Sequence, residues 1–208
     1  MAEKKISIAV IRRLPKYYRY LDELEKSDVK GVSSQELSEL TGFTASQIRQ
    51  DFNNFGGFGQ QGFGYNVRSL KLAISEILGH DIVKNAVMIG SGNLGKTIAK
   101  YPGFRDCGLN IIGIFDRNPN NIGQDIDGIQ IQDIKNVENF LENKKVHVGI
   151  ISVDKESAQD IADLYVKYGL KGIWNFAPID LEVPEDVYVE NVSFTESFLV
   201  LSYFLKNK

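Results

Sequence analysis

Three glycines carry the first chemistry in this chain. Gly90, Gly92 and Gly95 in "AVMIGSGNLGKTIAK" form a G-x-G-x-x-G, between an apolar run and an amphipathic stretch. A glycine turn opening a helix offers backbone N–H groups and a helix N-terminus to a diphosphate, which is the dinucleotide-binding fingerprint. Gly90, Ser91, Gly92, Asn93, Leu94 and Gly95 are therefore expected to hold a pyrophosphate. A second apolar run, "LNIIGIFD", ends in Asp116, 21 positions beyond Gly95. A carboxylate at that separation accepts from ribose hydroxyls and repels a 2′-phosphate, so NAD+ and NADH are the favoured ligands. Arg117 softens that preference, because a guanidinium beside the acid could stack on adenine or meet a phosphate. Catalytic groups are not arranged to match. His80 falls at a domain junction and His147 inside a strand pattern, with no Ser-His-acid set and no cluster of metal ligands. The expected chemistry is a coenzyme that is bound and not turned over.

The elements that must position these groups alternate. "NAVMI" reads as a buried parallel strand and "LGKTIAKY" as the helix after the turn. The pattern continues through "GIQI", a helix at "DIKNVENFLEN", the strand "VHVGIISV", a helix at "ESAQDIADLYVKYG" and the strand "KGIWNFA". Strands alternating with amphipathic helices predict an α/β fold, a Rossmann-like doubly wound parallel sheet. Ligands in such sheets sit at the carboxyl ends of strands, so Ser152, Val153 and Asn175 are expected to line the site.

Some 80 residues precede that sheet. The first helix is expected from Ser7 to Glu25, bent near Pro15 and carrying Arg12, Arg13, Lys16 and Arg19. Residues 1–20 hold six Lys or Arg against one Asp or Glu, while the whole chain has net charge −3, so the front end suits a polyanion. Ser33 with Glu36 and Thr44 with Gln47 are spaced to cap two further helices on either side of a tight "TGF" turn. That is helix-turn-helix spacing, and Ser46, Gln47, Arg49 and Gln50 early in the second helix could reach base edges or phosphates. The "FGGFGQQGFGYNV" that follows reads as the glycine-rich hairpin of a winged helix, with Gln60 and Gln61 at its tip.

Composition narrows the class further. No stretch approaches the roughly 18 apolar residues of a membrane span, and the N-terminus does not resemble a signal peptide. One cysteine, Cys107, and two histidines argue against disulfides and structural zinc, and for a cytoplasmic protein. The chain ends in "ENVSFTESFLVLSYFLKNK", an unusually apolar helix capped by Ser193 with Glu196. Its apolar face needs cover from its own sheet or from a second subunit, and a dimer is what a palindromic operator requires. The expected domains are 1–80, 81–192 and a C-terminal helix, 193–208.

With "GSGNLG", "YPGF", "FDRNP", "NFAP" and "ENV.F" in this order behind a winged helix, the chain closely resembles the Rex family of redox-sensing transcriptional repressors. The resemblance implies a homodimer that binds a palindromic DNA operator when free of coenzyme or with NAD+, and releases it when NADH binds. It implies control of genes for fermentation, anaerobic respiration or NADH reoxidation, and a C-terminal helix swapped between subunits. It further implies that Tyr101 and the partner-donated Phe194 lie by the nicotinamide, that Arg49 contacts DNA, and that Arg19 and Ser193 couple the domains. Two departures stand out: serine at 193 where the family often has Asp, and Gln60 and Gln61 where the wing often carries Lys or Arg. The alternatives are an NAD-dependent oxidoreductase with a regulatory N-terminal domain and a nucleotide-binding partner module, such as one for CoA.

Overall fold

The computed structural model describes residues 6–56, the backbone of 59–60, and residues 64–206. The chain divides into two units, Met1–Ile82 and Val83–Lys208.

Capping chemistry sets the elements of the first unit. Ser7 accepts from the Val10 amide and opens α1 (Ile8–Ile11), and the chain re-enters a helix as α2 (Leu14–Lys26). The single bent helix expected here is thus two. Pro15 lies in the first turn of α2, where its missing N–H breaks no helical bond. After β1 (Gly31–Val32), α3 (Ser34–Thr41) opens on a full capping box. Ser33 Oγ accepts from the Glu36 amide at 3.1 Å, and Glu36 Oε2 accepts from the Ser33 amide at 2.7 Å. Gly42, at φ 73°, closes it, and α4 (Ala45–Asn53) begins with Thr44 accepting from the Gln47 amide. The strands β2 (Gly59–Gln60) and β3 (Gly64–Asn66) pair antiparallel, and β1 joins β3, giving the order β1-β3-β2.

The last helix of this unit, α5 (Val67–Leu78), was not anticipated. Its signals were present: Asn66 caps it through the Ser69 amide, Gly79 ends it at φ 62°, and Val67, Leu70 and Ile74 are buried on one face. Around Tyr17 and Phe52, the side chains of α2, α3, α4 and α5 close one core.

The second unit is the parallel sheet. In chain order it contains β4 (Lys84–Ile89), α6 (Asn93–Lys100), α7 (Gly103–Asp106), β5 (Leu109–Asp116), β6 (Asp125–Ile126), β7 (Ile129–Asp133), α8 (Val137–Asn143), β8 (Val148–Ile151), α9 (Lys155–Lys167), β9 (Gly172–Asn175), β10 (Tyr188–Asn191) and α10 (Phe194–Lys206). The strand order is β10-β9-β8-β4-β5-β7-β6, parallel throughout except for β6, which pairs antiparallel with β7. Along β4, Val87 and Ile89 enter one core while Ala86 and Met88 enter the other, because successive side chains point to opposite faces. The chain leaves β4 toward β5 and β7, then returns to β8 and continues toward β10. The reversal makes the end of β4 the switch point, where crevices open in doubly wound sheets.

Candidate functional site

The glycine turn leaves β4 at that switch point, and two of its glycines are required by geometry. Gly90 sits at φ 99°, and a Cβ there would lie 2.1 Å from the Ser152 carbonyl oxygen. A Cβ on Gly95 would lie 2.3 Å from the Gly90 carbonyl oxygen, so only glycine lets α6 approach the strand this closely. Around Gly92, by contrast, a Cβ would meet nothing within 4 Å, leaving the backbone open to a ligand.

Asp116, at the end of β5, is buried and ties this turn in place. Its Oδ2 accepts from the Ser91 amide at 2.8 Å, from the Ser91 hydroxyl and from the Asn121 side-chain amide at 3.0 Å, while Oδ1 accepts from the Asn118 amide at 2.8 Å. Burial pushes its pKa up, but the hydrogen bonds from Ser91, Asn118 and Asn121 outweigh it and hold the carboxylate below the ordinary range.

A cavity of about 400 Å³ opens here. Its walls include Gly90, Ser91, Gly92, Asp116, Arg117, Ser152 and Val153, all sequence candidates brought together by β4, β5 and β8. Asn93, Leu94 and Gly95 start α6 beside it. Sequence reading missed Asn118, Asn121, Asp154 and Ser157, which also line it. Asp154 was legible as a helix cap: it accepts from the Ser157 amide at 3.1 Å and opens α9. Its partnership with Arg117, whose Nη2 donates to Asp154 Oδ2 at 2.6 Å, is a tertiary fact between distant segments.

Three coenzyme candidates lie elsewhere. Asn175 is fully buried, and its amide donates to the Ala177 and Ile179 carbonyls and to Asn191. It ties the loop after β9 and is not among the residues that line this cavity. Tyr101 closes α6 with its ring 4.8 Å from that of Phe104, and Phe194 begins α10; they are 57% and 62% exposed. Ser193 accepts from the Glu196 amide at 3.2 Å, as a cap should.

On the first unit, Arg12, Ser46, Arg49 and Gln50 are exposed, and Gln47 is half-buried. Arg49 Nη1 donates to Ser34 Oγ at 2.8 Å, linking α4 to α3. Lys16 holds its ammonium 5.0 Å from the Phe43 ring centre, and Arg19 lies 4.7 Å from the Tyr20 ring. Arg13, expected as a DNA contact, is partly buried. Its guanidinium turns inward and donates twice to the buried Asp51, at 2.6 and 2.7 Å, with the Tyr17 hydroxyl donating to the same carboxylate at 2.8 Å. Asp51 without a cation would be a costly buried charge, and that requirement takes Arg13 away from the surface. Gln61 and the Gln60 side chain lie outside the described residues.

Comparison with known proteins gives the arrangement a family. The family model "Putative DNA-binding protein N-terminus" matches residues 5–53, and a model described as a CoA binding domain matches residues 81–179. The chain is 53% identical over 206 residues to the redox-sensing transcriptional repressor Rex of Clostridioides difficile (strain 630), covering 99% of this chain and 98% of that one. This chain belongs to the Rex family. The crystal structure of RSP in complex with β-NAD+ and operator DNA matches it with a TM-score of 0.92 at 53% identity, covering 97% of this chain and 93% of that one. The structure of RSP with β-NADH gives 0.91 at 50%, covering 98% and 96%. Rex proteins are transcriptional repressors, so the oxidoreductase alternative falls away and this protein is a redox-sensing repressor with a winged-helix front unit and a Rossmann-like sheet. Among the described residues, no helix is long and apolar enough to cross a membrane.

Proposed function

We propose that this Rex-family repressor works as a cytoplasmic homodimer on a palindromic operator and lets go when NADH occupies the cavity at the end of β4. The single observation that carries the reading is the joint presence, in one cavity, of the open backbone at Gly92 and the buried carboxylate of Asp116. The turn Gly90–Gly95 would receive the pyrophosphate. Asp116 would take the adenosine ribose, since Oδ1 carries one hydrogen bond and keeps acceptor capacity. The described site suits a dinucleotide: glycine backbone for the diphosphate and an ionised acid for the ribose.

Tyr101, with Phe194 donated by the other subunit, would flank the nicotinamide. That ring is positive when oxidised and neutral when reduced, so an aromatic, water-poor setting favours the reduced form by desolvation. Selection then becomes a population shift: NADH stabilises the arrangement that cannot hold DNA, and the coupling is reciprocal. Arg19 and Ser193 are the proposed coupling residues. Serine caps α10 without a charge, so any ion pair that the family's Asp makes with the first-helix arginine is lost. Arg12, Lys16, Ser46, Gln47, Arg49 and Gln50 are the proposed DNA face, with the wing's Gln60 and Gln61 giving weaker phosphate attraction than Lys or Arg.

The test is a gel shift on a palindromic operator, titrated with NADH against a fixed background of NAD+. Release by NADH and not by NAD+ is expected. Arg49→Ala should weaken operator binding while NADH affinity stays unchanged. Equal retention of the DNA under every coenzyme condition would overturn the proposal.

A further inference from the structure

The charged groups of the cavity wall are acidic except at one point. Asp116, Asp154 and Asp160 line it, with Arg117 as the one cation among the described lining residues. Arg117 directly follows the ribose acid, on the side where a guanidinium would serve a 2′-phosphate. Its charge is nevertheless committed. Nη2 donates to Asp154 Oδ2 at 2.6 Å and Nη1 to Ser157 Oγ at 3.0 Å. Asp154 is held in turn, because its Oδ1 accepts from the Ser157 hydroxyl at 2.7 Å and the Ser157 amide at 3.1 Å. Topology makes this a bridge. Arg117 follows β5, Asp154 follows β8, and β4 with its glycine turn runs between them.

We infer that Asp154 is a specificity-determining residue: by holding Arg117 against the cap of α9, it denies a 2′-phosphate the one cation among the described lining residues and favours dinucleotides with a free 2′-hydroxyl. The inference rests on the coenzyme site proposed above and adds a second determinant to Asp116. A 2′-phosphate brings about −1.5 to −2 charges at neutral pH. In this site it meets the Asp116 carboxylate, with the Arg117 guanidinium and the Asp154 carboxylate paired to each other. Removing the Asp154 charge frees Arg117 to swing toward the phosphate, a charge-assisted and geometrically matched partner.

Fluorescence titrations of the full-length protein with NADH and with NADPH read this directly. Asp154→Asn keeps an N-cap oxygen for Ser157 and removes the charge, and Asp154→Ser is a second capping variant should the first fold poorly. In either variant, the NADPH-to-NADH affinity ratio should rise by roughly fivefold, the upper scale of a solvent-exposed ion pair such as Arg117–Asp154. Adding Arg117→Ala should cancel that rise, and Arg117→Ala alone should leave the wild-type ratio within about threefold, since the guanidinium is paired with Asp154 and Ser157. A ratio unmoved in both Asp154 variants, with NADH still bound, overturns the inference and leaves the coenzyme site standing. So does an Arg117→Ala protein that loses residual NADPH affinity tenfold. A wild-type protein that binds neither nucleotide overturns the coenzyme site and the inference together.

Discussion

Asp116 does two jobs whose demands differ. As a tie for the glycine turn it needs to be ionised and fully bonded, and as the proposed ribose acceptor it needs spare capacity on one oxygen. Both are met because Ser91 and Asn121 crowd Oδ2 and leave Oδ1 with Asn118 alone. Asp116→Ala should therefore lose NADH affinity by at least roughly tenfold, while operator binding without coenzyme persists. NADH-driven release that survives in this variant would take Asp116 out of the site. The carboxylate also predicts a pH effect with a definite sign. Its native pKa lies below the ordinary value, so its contribution to stability is present above the usual aspartate range near ~4 and is lost as pH falls through the native value. The melting-temperature gap between wild type and Asp116→Asn should consequently narrow as pH drops from about 6 to about 3. A gap that widens on acidification would contradict the assigned hydrogen bonds. At the exposed Cys107, partial desolvation and the neighbouring Asp106 raise the thiol pKa, which does not favour a reactive thiolate.

The element that presents the proposed DNA face, α4, is fixed from beneath. Ile48 and Phe52 seat it in the core, and Asp51, 1% exposed, receives two bonds from Arg13 and one from Tyr17. This cluster joins the turn between α1 and α2, α2 itself and the inner face of α4. Burial first, and then the Asp51 carboxylate, push the Tyr17 hydroxyl pKa well up, while Asp51 keeps the Arg13 guanidinium firmly charged. Asp51→Ala strands that cation and a buried hydroxyl, and should cost about 2–4 kcal/mol in thermal or urea unfolding. A loss below about 0.5 kcal/mol, the scale of an ordinary surface change, would show that the cluster does not hold the helix. Caps made most of these elements readable: Ser33, Thr44 and Ser193 each accept where their spacing predicts. The strands β6 and β10 and the helix α7 went unread, because two-residue and four-residue elements carry too few positions to show a period.

For the whole molecule, α10 is the open question that the single chain poses. Phe198, Leu199, Val200, Leu201, Tyr203, Phe204 and Leu205 are each 53–65% exposed, and none of its described residues is buried. An apolar surface of this kind marks an interface, and the proposed occupant is a second copy. Leu201→Glu combined with Leu205→Glu should give a folded monomer by light scattering that no longer binds operator; a variant that stays dimeric would move the interface elsewhere. The sequence by itself determined the glycine turn, the Asp116 carboxylate at the end of the next strand, the helix caps and the alternation of strands and helices, since each is written in residue type and short spacing. Only the tertiary structure decided that Arg13 faces inward, that Asn175 ties a loop, and that Arg117 is bridged to Asp154. Those outcomes depend on which charges and amides find partners: for Arg13 and Arg117 the partners lie 38 and 37 residues away, and for Asn175 one lies on the neighbouring strand β10.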